Sequence, residues 1–147
     1  FSTGRNSLLT SSALSLNNLA AAVGALRVQT EDGQLVSQEP GALIVPAALE
    51  ATARQLMSGY NPNSAANANP YGALSIVVEP RLDASSTTTW YLAAANQSSL
   101  EYGYLDGAEG VQTFQEEGFE VDGLQIKARL DFGCGWVAPV GWVKATA

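Results

Sequence analysis

The sequence predicts an α+β domain with its helices early and antiparallel strands late. Three stretches carry that expectation. Residues 41–57 read as a buried strand running straight into a helix. Residues 16–28 repeat apolar side chains at helical spacing. From residue 74 onward, apolar and polar residues alternate with the period of two that belongs to strands.

Taken in order, residues 1–13 are polar and read as an extended lead-in. Ser15 is a natural N-cap for a helix over residues 16–28. Leu16, Leu19, Ala20, Val23 and Leu26 form its apolar face. Gly24 weakens that helix by roughly 1 kcal/mol relative to Ala, so close packing against a neighbour is expected there. Asp32-Gly33 marks a turn. Leu43-Ile44-Val45 is an apolar run suited to a covered sheet position. Pro46 suits the first helical position, where its missing N–H is not needed. Leu49, Ala53 and Leu56 then repeat at i, i+4, i+7, and Glu50 with Arg54 makes a favourable i,i+4 pair. Gly59 is expected to close this helix.

Residues 59–72, rich in Asn, Pro, Ala and Ser, read as a long exposed loop. Leu74 to Val78 is a strand stopped by Glu79-Pro80, with a polar turn over residues 83–88. Trp90-Tyr91-Leu92 is the next strand. Leu100, Tyr102 and Tyr104 alternate with polar or small residues in another. Asp122-Gly123 predicts a hairpin turn. Beyond it, Leu124, Ile126, Ala128, Leu130 and Phe132 are expected to face a core, opposite Gln125, Lys127, Arg129 and Asp131. Gly133-Cys134-Gly135 is expected to break that strand, and residues 136–143 supply a last apolar one.

Charge and composition narrow the function. Charged residues make up 14% of the chain, against a typical ~25%. The net charge of −7 disfavours broad attraction to nucleic acid or an anionic membrane. No apolar run approaches the ~18 residues of a membrane span. A chain that starts at Phe1 is expected to be a piece of a longer product. Cys134 is the single cysteine, which excludes an internal disulfide, and a buried, quiet thiol is expected there.

The absence of His removes Ser-His and Cys-His nucleophile pairs and the commonest metal ligand. Asp131-Phe132-Gly133 matches a kinase metal-binding triplet by letters, but the rest of the kinase signature is missing. Residues 101–122 hold half of the carboxylates and no Lys or Arg. The plain reading is a solvated acidic edge; the sharper one is a surface for a basic partner. Glu116 and Glu117, adjacent on a strand, point to opposite faces and make no acid/base pair. No catalytic, cofactor or metal site is expected. Trp90, Tyr91, Trp136 and Trp142 are the one set of side chains that would line a small-molecule or enzymatic pocket.

The ordered segments resemble a known family. They are Arg5-Asn6 ahead of residues 14–19, the 41–57 block, Asn69-Pro70 before residues 77–82, Trp90-Tyr91-Leu92, Tyr104-Leu105-Asp106-Gly107, Gly118-Phe119, and residues 123–133. Together they are similar to the C-terminal portion of the major head (capsid) protein of tailed phages and prophages, in the Mu-like branch. Residues 134–139 depart from the polar, acidic segment expected after Gly133.

The resemblance implies a Hong Kong 97-type fold, with residues 14–130 as an axial-type domain and 131–147 as a strand returning to a peripheral domain. A few helices would pack on a mainly antiparallel sheet. It implies a structural subunit, not an enzyme, that forms pentamers and hexamers around packaged DNA. A prohead protease and a scaffold are the implied assembly partners, and the virion and the bacterial host cytoplasm the implied locations. Under that reading, Lys127 and Arg129 meet Glu116 and Glu117 across subunits. An encapsulin-like nanocompartment shares the fold and is the alternative shell.

Overall fold

The computed structural model describes residues 7–58, 69–96, 99–118, 123–138 and 140–147. The expected lead-in at residues 1–6, Gly59 with most of the following loop, and Asp122 of the expected hairpin turn lie outside them. The chain divides into two compact units, Phe1–Ser98 with Pro139–Ala147, and Ser99–Ala138.

The first unit is a helix-on-sheet layer. Its five-stranded sheet contains β1 (Leu8–Leu9), β4 (Pro40–Val45), β5 (Ser75–Val78), β6 (Trp90–Ala94) and β11 (Trp142–Ala145), in the order β1-β11-β6-β4-β5. The β11–β6 and β6–β4 pairs are antiparallel, as expected. The two outer pairs, β1–β11 and β4–β5, are parallel. For β4–β5 the cause is the connection: residues 46–74, which include a helix, separate the strands and let the chain return in the same direction.

Leu43, Leu92 and Val143 are in register across the three middle strands, and so are Trp90 and Ala145. They form one apolar face. Helix α1 (Leu16–Arg27) covers it with Leu19, Ala22, Val23 and Leu26, and helix α2 (Glu50–Met57) adds Ala53. Trp90 is fully buried in this core, and its Nε1–H donates to the Ser12 carbonyl at 2.9 Å.

Local chemistry explains the element ends. The Ser15 hydroxyl accepts from the Asn18 N–H at 3.3 Å and starts α1. Gly24 does not pack tightly: a Cβ there would meet nothing within 4 Å. It lies on the solvent side, because the buried stripe runs through Ala22 and Val23. Ala20 is likewise exposed, and Ala22 takes the core position expected of it. Strands β2 (Thr30–Glu31) and β3 (Gln34–Leu35) form a small hairpin. Its turn residues Asp32 and Gly33 have φ of 49° and 79°, the left-handed pair that a two-residue hairpin turn requires.

Pro46 is extended and precedes the helical turn instead of opening it. A 3-10 turn, Ala47–Leu49, comes between it and α2. The cap is supplied from afar: the Asp83 carboxylate accepts from the Ala47 N–H at 2.9 Å and the Ala48 N–H at 3.3 Å. These are orphan donors that the local sequence has no side chain to satisfy. Asp83 itself sits in a 3-10 turn, Pro80–Ala84, where polar turn character was expected. Glu50 accepts from Arg54 at 2.7 Å, as its spacing predicts.

Two further contacts fix the sheet. Gln29 is buried at the end of α1. Its Nε2 donates to the Trp142 carbonyl at 2.8 Å, and its Oε1 accepts from the Gly141 N–H at 2.7 Å. At Gly41 a Cβ would come within 2.6 Å of the Ala95 backbone, so only glycine fits where β4 crosses β6.

Candidate assembly surface

The second unit is built differently. Strands β7 (Leu100–Tyr104) and β10 (Phe132–Trp136) pair antiparallel, and β8 (Gln112–Glu117) pairs with β9 (Leu124–Arg129) between them in sequence. Two ribbons result, each two strands wide, with no helix among the unit's described residues. A strand pair without a third element cannot hide either face.

The register assigns the faces. In β7–β10, Tyr104 lies opposite Phe132, Tyr102 opposite Cys134, and Leu100 opposite Trp136. All six side chains share one face. The other face carries Gly103, Gly133, Gly135 and Glu101. Tyr102 is 71% exposed, and Phe132 and Trp136 are 53% exposed. Tyr102, Tyr104 and Phe132 touch one another, with ring centroids 5.7 to 6.2 Å apart. This is a contiguous aromatic patch in water, the kind of surface that marks an interaction site.

Three expectations are corrected here. Gly133-Cys134-Gly135 does not break a strand but forms the middle of β10, because backbone pairing to β7 supports it. Cys134 is exposed, not buried. Leu124, Ile126, Leu130 and Phe132 do not face a core, and Ile126 is 65% exposed. Their alternation is real, but none of the unit's described residues buries it. The strand also ends at Arg129 and restarts at Phe132.

The four charged residues expected at a subunit interface, Glu116, Glu117, Lys127 and Arg129, all lie in the β8–β9 ribbon. Lys127 pairs in register with Phe114, Arg129 with Gln112, and Glu116 with Gln125. These pairs share one face, so Glu116 is a diagonal neighbour of Lys127. Glu117 is on the opposite face, across from Leu124 and beside Ile126. Arg129 is engaged within the chain: its Nε donates to Asp131 at 2.8 Å. Lys127 is in no ion pair among the described residues. The whole unit holds eight carboxylates and two cations, a net of −6 out of −7 for the chain.

No catalytic geometry accompanies this surface. Trp90 is locked in the sheet core, and Tyr91, its strand neighbour, points to the opposite face of the sheet, so the aromatic set expected of a pocket does not converge. Among the described residues, no group of three or more His, Cys, Asp or Glu side chains is placed to hold a metal ion. No helix among them is long and apolar enough to cross a membrane. Among the described residues one carboxyl is perturbed: side-chain and backbone hydrogen bonds from Arg81 hold Glu79 below its ordinary value. That exposed pair fixes the turn after β5.

The fold is one used by shell-forming proteins. The holo SrpI encapsulin complex from Synechococcus elongatus PCC 7942 matches it with a TM-score of 0.60 at 13% identity, over 99% of this chain and 53% of that one. The procapsid of satellite phage P4, solved with its size determination (Sid) protein, matches with a TM-score of 0.52 at 13% identity, over 93% of this chain and 40% of that one. The chain thus spans about half the length of the first structure and less of the second. No curated protein matches it by sequence. The family is nonetheless defined: residues 2–145 match the phage capsid protein family model, and the chain belongs to that family.

Proposed function

We propose that this chain is a C-terminal portion of the major head protein of a tailed phage or prophage, of the Mu-like branch and the Hong Kong 97-type fold. The family match over residues 2–145 is the observation that carries this reading. Residues 14–130 serve as the axial-type domain, and the returning residues 131–147 complete it through β10 beside β7 and β11 beside β6. Copies assemble into pentamers and hexamers that tile a shell around packaged DNA, with a prohead protease and a scaffold as assembly partners. The virion is its destination, reached by assembly in the host cytoplasm. The role is structural, a reading supported by membership of the phage capsid protein family.

The test is negative-stain electron microscopy of the full-length gene product. Closed shells, or pentameric and hexameric rings, are the expected outcome. Dispersed particles at every salt and protein concentration would overturn the reading.

A second reading is favoured by the likeness to the SrpI encapsulin: a nanocompartment shell that encloses an enzyme instead of DNA. Shells that co-purify with one enzyme and no DNA would establish it.

In either shell, Lys127 and Arg129 engage Glu116 and Glu117 of neighbouring copies. The double variant K127E/R129E is expected to impair assembly without unfolding the chain. Normal shells from that variant would refute the pairing.

A further inference from the structure

The aromatic face of β7–β10 has no cover within its own unit, and the charge distribution restricts what can cover it. The ribbon unit carries a net −6. The helix-on-sheet unit has five cations and six carboxylates, a net of −1. Setting the aromatic face of one copy against the same face of another would bring two acidic ribbons within a Debye length of ~8 Å, with Lys127 and Arg129 held on the other ribbon, β8–β9. Setting it against the nearly neutral unit avoids that repulsion.

The helix-on-sheet unit also offers a matching surface. A groove of about 300 Å³ is lined by Arg27, Glu39, Pro40, Pro70, Tyr71 and Leu74. Its walls combine apolar and polar surface in similar amounts, and Arg27 is in no ion pair among the described residues. A guanidinium beside proline and tyrosine rings suits an aromatic side chain brought in by an acidic carrier, through stacking and charge together.

We infer that the aromatic face of β7–β10 in one copy docks on the Arg27 groove of a second copy. This rests on the shell reading and adds its contact. Two unlike patches meet, so the contact is head-to-tail, the type that closes into rings. Tyr102, Phe132 and Trp136 are the anchors, in keeping with the weight aromatic residues carry at interfaces. Arg27 is the cation they approach.

The experiment uses the full-length gene product with a photo-reactive benzophenone amino acid at Phe132, diluted into an excess of unlabelled chain before assembly. Irradiated shells are expected to give cross-links between copies on peptides containing Arg27, Pro40 or residues 70–74. Adding Arg27→Glu to the unlabelled chain is expected to cut that yield roughly tenfold, with the thermal midpoint unchanged. Cross-links on a neighbour's residues 99–138, or on any other surface, overturn the inference, and so do closed shells without cross-links. Failure of the unlabelled protein to form shells or rings would instead remove the shell reading and this contact with it.

Discussion

The two units use the same alternating strands to opposite ends. In the sheet of the first, Leu43, Leu92 and Val143 alternate with outward residues, and α1 and α2 close over them. In β9, Leu124 and Ile126 alternate as cleanly and remain exposed. The difference is a third element. An apolar stripe is buried only where another layer lies on it, and among the described residues of its own unit the ribbon has none. A surface left so apolar is of the kind that marks an interaction site.

Substitutions can break or sharpen this contrast. The largest effect belongs to Trp90→Ala, which empties the centre of the closed core and removes the bond to Ser12. It is expected to destabilise the folded chain by about 3–5 kcal/mol in denaturant unfolding. Gln29→Leu comes next: it leaves the buried partners at Gly141 and Trp142 without their side-chain bonds, at an expected cost of about 1–3 kcal/mol. Gly24→Ala is expected to act in the other direction, raising stability by about 0.5–1 kcal/mol, because the site is helical and open. Ile126→Thr in the ribbon should change unfolding by no more than about 0.5 kcal/mol. A loss there as large as that of Trp90→Ala would show that the ribbon has a core of its own, and the contrast would fail.

The smallest effect is a pH dependence. Glu79 is held below its ordinary value, so its contribution is complete above the unfolded-state pKa and fades as pH falls through the folded-state one. Glu79→Gln is expected to lower stability slightly at pH 7, to leave it nearly unchanged at pH 3, and so to flatten the acid side of the stability profile. An equal loss at pH 7 and pH 3 would contradict that assignment.

Local signals were read correctly where the cause is local. Ser15 caps α1, Asp32-Gly33 turns a hairpin, Glu50 pairs with Arg54, and strand β4 leads into α2. What escaped is what joins distant residues. Nothing near Ala47 announces that its cap is Asp83, and nothing near Gln29 names Gly141. Alternation in β9 told of an amphipathic strand but not of what would cover it. The charged residues 116, 117, 127 and 129 were traceable to one hairpin by their spacing. The aromatic face of β7–β10 is hard to see in the sequence because the glycines on both sides of Cys134 read as a break. The available clue is alternation: Phe132, Cys134 and Trp136 share a face, and Gly133 and Gly135 lie opposite Gly103 and Glu101 on the other.

The placement of β11 bears on how this chain is made. The strand lies between β1 and β6, so the sheet has a gap until residues 142–145 arrive. During synthesis the first hundred residues emerge with Trp90 lacking the strand beside it. The acidic ribbon must then be translated in full before that gap can be filled. The helix-on-sheet unit is therefore expected to gain protease resistance only after residues 142–145 leave the ribosome. Nascent chains halted at residue 138 should be digested readily by a protease that spares the finished chain.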